Sequence, residues 1–101
     1  MKVHLKSRSG SYEATGEYNK ITKELVVLSG SKVSNSISNG SFRSARSVDK
    51  YRREACTEEG IVYKDILFKS PSSAANFVTG SSTNGMLAWK DETGNSLKET
   101  K

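Results

Sequence analysis

The residues able to do chemistry are few and far apart. His4 is the single histidine and Cys56 the single cysteine of a 101-residue chain. A nucleophile needs a base within reach and a third group to orient it. His4 falls in a strand-like run near the start, and Cys56 falls in a helical stretch with no basic partner identifiable from the sequence. One residue of each type also leaves no Cys/His set for zinc and no internal disulfide. The paired acids Glu58-Glu59 and Asp91-Glu92 sit at a helix end and in a turn, where such residues ordinarily occur. These residues predict no enzyme, no metal and no cofactor.

The basic residues are organised differently. Four of the five arginines, Arg43, Arg46, Arg52 and Arg53, fall between positions 43 and 53, joined by Lys50, and no carboxylate occurs from Leu25 to Val48. Arginine forks match phosphate oxygens, and serine hydroxyls can add further hydrogen bonds to a backbone. The plainer reading of the same residues is a solvated helix face beside a soluble loop. A second group surrounds Lys69, Ser70 and Ser72, which open a helix whose free N–H groups suit an anion, or else simply cap it. Asn84 stands in an Asn-Gly turn or points at a ligand, and Lys90 alternates away from Trp89 toward solvent. Arg43, Arg46, Lys50, Arg52, Arg53, Lys69, Ser70, Ser72, Asn84 and Lys90 are therefore the candidate nucleic-acid contacts. A net charge of +5 and a pI near 9.4 lean toward a polyanionic partner.

The elements that must hold these groups are those of one domain over residues 1–101, with 34% hydrophobic residues and a small core. Val3 to Lys6 alternates, as does Tyr12 to Tyr18, with Tyr12, Ala14, Gly16 and Tyr18 on one face. Asn19-Lys20 is a turn, and Glu24 to Leu28 is apolar on both faces, which suits a well-covered strand. Residues 29–47 hold eight serines and no acid, a serine-rich loop expected to be the most mobile internal part, pinned by Val33, Ile37 and Phe42. Ser47 is read as an N-cap with Asp49 in the first turn, and Gly60 as the helix's C-terminal glycine. Val48, Tyr51 and Ala55 form its buried stripe, while Arg46, Lys50 and Arg53 share another face.

Ile61 to Lys69 is extended, with Ile66 and Phe68 on one side and Leu67 on the other. Ser70-Pro71 starts a second helix, packed through Ala74, Ala75, Phe77 and Val78 and ended by Gly80. Leu87 to Lys90 is predicted as a strand with Leu87 beside a core-facing Trp89, followed by a turn at 91–94 and a last strand at 95–97. The expected fold is α+β: a small antiparallel sheet of about five short strands with two helices packed on it.

The string Ser70-Pro71-Ser72-Ser73-Ala74-Ala75, then Val78-Thr79-Gly80, Ser82, Asn84-Gly85, Trp89-Lys90, Gly94 and Leu97, resembles the signature of the domain family of unknown function DUF4357. Ala14-x-Gly16 and Val27-Leu28-x-Gly30-Ser31 extend the resemblance into the N-terminal half. Members of that family often lie C-terminal to GIY-YIG nuclease domains. The signature is also similar to the RAMA domain (restriction enzyme and adenine methylase associated), for which DNA reading has been proposed. The resemblance thus implies DNA as partner and a nuclease or methylase subunit as company. Met86 and Ser81 stand where the family usually has tryptophan and arginine.

No apolar run approaches the roughly 20 residues that span a bilayer, and MKVHLKSRSG lacks the apolar stretch of a secretory signal. The expectation is a cytoplasmic, prokaryotic protein that makes no use of a membrane. Two functions remain open: a non-catalytic DNA-binding accessory module acting mainly through phosphates, and a protein–protein interaction module docking on an enzyme subunit.

Overall fold

The computed structural model describes residues 1–7, 9–34, 45–80 and 83–98, with side chains left aside at 45–49. Four strands pair antiparallel in sequence order: β1 (Lys2–Lys6), β2 (Glu13–Tyr18), β3 (Leu25–Val27) and β4 (Ile66–Phe68). The expected alternations set the register. Val3 pairs with Gly16 and Leu5 with Ala14, so each pair sends its side chains to one face. β3 lies between β2 and β4, as its apolar residues require. At the β2–β3 turn, Asn19 Oδ1 accepts from the amides of Ile21 and Thr22.

The inner face of the sheet is covered by α2 (Pro71–Thr79), whose Ala74, Ala75, Phe77 and Val78 are fully buried. Ser70 caps α2 by accepting from the Ser73 amide, Pro71 occupies its first turn, and Gly80 closes it in the left-handed conformation. The remaining helices are α1 (Ala45–Ala55) and the single turn α3 (Gly85–Ala88). α1 rests its Tyr51 ring 4.9 Å from Phe68 and 6.4 Å from Phe77, beside the buried Ala55. Such aromatic pairs contribute about 0.5–1.5 kcal/mol each beyond their burial.

Three local expectations need correction. The stretch 87–90 is not a strand: Asn84 Oδ1 accepts from the Met86 amide, and its carbonyl accepts from Leu87 and Ala88, curling the chain into α3. Only Lys90 then reaches the sheet, bridging His4 and Ser96, so two predicted strands shrink to isolated bridges. Leu87 is consequently 48% exposed rather than stacked beside Trp89, which is fully buried as expected. α1 also begins at Ala45, ahead of Ser47, and Asp49 falls beyond its first turn. It stops at Ala55 because Cys56 pairs with Val62 across a tight turn, where Gly60 adopts φ +83 and donates to Thr57. Gly60 therefore closes a turn and not the helix. Of the expected loop pins, Val33 is buried. Ile37 and Phe42, with positions 35–44 of the serine-rich segment expected to be mobile, lie outside the described residues.

Candidate nucleic-acid interface

α1 sorts its cations by helical geometry. Val48, Tyr51, Arg52 and Ala55 fall at i, i+3, i+4 and i+7, the spacing of an inward stripe. Arg52 accordingly points into the fold. Its Nε and Nη2 donate to the Phe77 carbonyl at 3.1 and 2.9 Å, and Nη1 donates to the Ser34 carbonyl at 2.8 Å. Nη2 also reaches the Val78 carbonyl at 3.2 Å and Ser34 Oγ at 3.0 Å. This is a structural clamp, so the phosphate contact predicted for Arg52 is corrected: its fork is engaged with backbone carbonyls. The signal was present in the stripe spacing, where a cation occupied the i+4 place.

Lys50 and Arg53, one turn apart, are exposed on the other side of α1. Arg46 lies in the first turn of the helix, but its side chain, like all of Arg43, lies outside the described residues. Lys69 is exposed just before α2, and Lys90 is exposed at its bridge to His4. His4 sits on the outer face of β1, opposite Thr15. Lys69 and Lys90 belong to different parts of the chain from α1.

Ser70, Ser72 and Asn84 take part in an interlock. Ser70 Oγ accepts from Ser73 N, Ser72 Oγ accepts from Gly85 N at 3.0 Å, and Asn84 caps α3. Trp89 Nε1 donates to the Pro71 carbonyl at 3.1 Å. Gly85 presses so closely on α2 that a Cβ there would stand 2.1 Å from the Pro71 carbonyl carbon. Sequence reading missed this interlock because its partners are 13 to 18 positions apart. The motif Ser-Pro-Ser, Asn-Gly and Trp is thus a device for joining α2 to α3. Met86, next to it, is half-buried against the core and accepts from the Lys98 amide.

The remaining reactive groups lie apart. Burial pushes the Cys56 thiol up, against a smaller opposing effect from the Arg52 guanidinium, and so favours the neutral form. The Asp91 carboxyl is lowered, first by the Thr93 hydroxyl and then by the Asn95 amide, within the exposed turn 91–94. Among the described residues, no three His, Cys, Asp or Glu side chains converge as a metal site. Among the same residues, no helix is long and apolar enough to cross a membrane.

No curated protein and no solved structure matches this chain. The family model of the domain of unknown function DUF4357 matches residues 4–101. That span takes in both the sheet and the α2–α3 interlock, and the chain belongs to the DUF4357 family.

Proposed function

We propose that this domain is a non-catalytic DNA-binding accessory module that acts mainly through phosphate contacts on the outer face of α1. The observation that carries this reading is the sorting of that helix: Arg52 is turned inward, while Lys50 and Arg53 stand exposed a turn apart. The first turn of α1 carries no acidic residue, and the chain has a net charge of +5. The resemblance of the signature to nuclease- and methylase-associated domains supports the same choice and suggests such an enzyme as companion. On duplex DNA each neutralised phosphate contributes about −0.9 to the slope of log K against log salt. Two to four contacts then give a slope of about −2 to −4 in an anisotropy titration against unmodified, methylated and single-stranded DNA. A flat salt response sinks the electrostatic mechanism.

A second reading, docking on an enzyme subunit, is favoured by one feature of the outer sheet face. A shallow hollow of about 630 Å³ is lined in part by Tyr18, Ile21, Val26 and Leu67. Ile21 is 92% and Leu67 54% exposed there, apolar surface that a protein partner would cover. Binding that ignores salt and is lost on Ile21→Asp with Leu67→Asp would put this reading first.

A further inference from the structure

We infer that Arg52 is a positioning residue for the basic face of α1, an inference that rests on the DNA-binding reading above. The last turn of α2 presents carbonyls without intrahelical partners at the negative end of the helix dipole. The Arg52 guanidinium meets both needs through Phe77 and Val78. Ser34 is tied to the same place: its amide donates to the Val78 carbonyl at 2.8 Å and its hydroxyl to the Thr79 carbonyl at 2.7 Å. One guanidinium therefore joins three pieces of chain, α1, Ser34 and the end of α2.

The consequence for α1 is rotational. Tyr51 and Ala55 anchor one line along the helix, and a helix resting on one line can roll about it. Arg52, about 100° around the axis from Tyr51, supplies a second line. Two lines fix the roll, and with it the direction in which Lys50 and Arg53 face. A lysine cannot substitute, because a single ammonium lacks the planar fork that reaches several carbonyls at once.

The test uses the full chain with Arg52→Lys, Arg52→Gln and the milder Ser34→Ala. Each is titrated with duplex DNA at stepped salt and followed by amide hydrogen exchange. The expected result is that both Arg52 variants bind roughly tenfold more weakly, the size of one charge-assisted hydrogen bond, with the salt slope unchanged. The amides of α1 should exchange faster while those of the sheet hold. Ser34→Ala should show the same pattern in reduced form, and it carries the test if Arg52→Gln does not fold. A slope reduced by about 0.9 in Arg52→Gln, with binding kept in Arg52→Lys, would make Arg52 a phosphate ligand and overturn the inference. Unchanged exchange in α1 with normal parent binding would overturn the inference alone. A flat parent titration would overturn the DNA reading, and the positioning role with it.

Discussion

α2 and α1 are both short helices with a serine nearby and a polar side, yet they use their polar groups in opposite ways. In α2 the polar groups face other parts of the chain: Ser70 and Ser72 accept from Ser73 and Gly85, and the Pro71 carbonyl accepts from Trp89. In α1 Arg52 does the same, while Lys50 and Arg53 lie exposed on the surface. A residue that stands out in the sequence can thus do so for architecture or for contact. An architectural role shows in a polar group turned inward onto backbone partners, since a buried donor or acceptor must be satisfied.

The strongest way to break this comparison is Trp89→Ala. It empties a large, fully buried site and removes the indole bond to the Pro71 carbonyl, so thermal or denaturant melts should show a loss of about 3–5 kcal/mol. A variant that melts like the parent but loses its ligand would make Trp89 a stacking residue. Gly85→Ala is the next test. A methyl at 2.1 Å from the Pro71 carbonyl carbon meets backbone, which has little room to move. Overpacking of this kind costs about 1–3 kcal/mol, and the melt should fall accordingly. Normal stability for Gly85→Ala would mean that α3 docks on α2 loosely and the interlock is not a lock.

Lys50→Ala with Arg53→Ala should do the reverse. Stability should move by less than about 0.5 kcal/mol per site, because both side chains are surface groups. Affinity should fall alike on all DNA sequences, and the salt slope should move toward zero by about 1.8, at about 0.9 per contact. If the pair loses stability and binds as before, the basic face is structural and the apolar hollow at Ile21 and Leu67 takes over as the interface.

The chain itself determined whatever depends on neighbours a few positions apart. Alternation placed Val3, Leu5, Ala14, Tyr18, Ile66 and Phe68 inside, since a strand turns its side chains by period two. Ser70-Pro71 and Gly80 bounded α2, because caps act on backbone groups within one turn. The burial of Trp89 was legible in the same way, from its size and from apolar surface that needed cover. Tertiary structure decided the rest. The roll of α1 hangs on carbonyls 25 and 26 positions from Arg52, and the docking of α3 on a serine 13 positions from Gly85. The Asn84 cap turned an apparent strand into a helical turn, and the Cys56–Val62 pairing ended α1 ahead of its expected glycine. Periodicity tells which way a side chain faces, but a hydrogen bond between distant segments is chosen only when the packed core brings both ends together, and that choice separated the arginine that clamps the fold from the cations left on its surface.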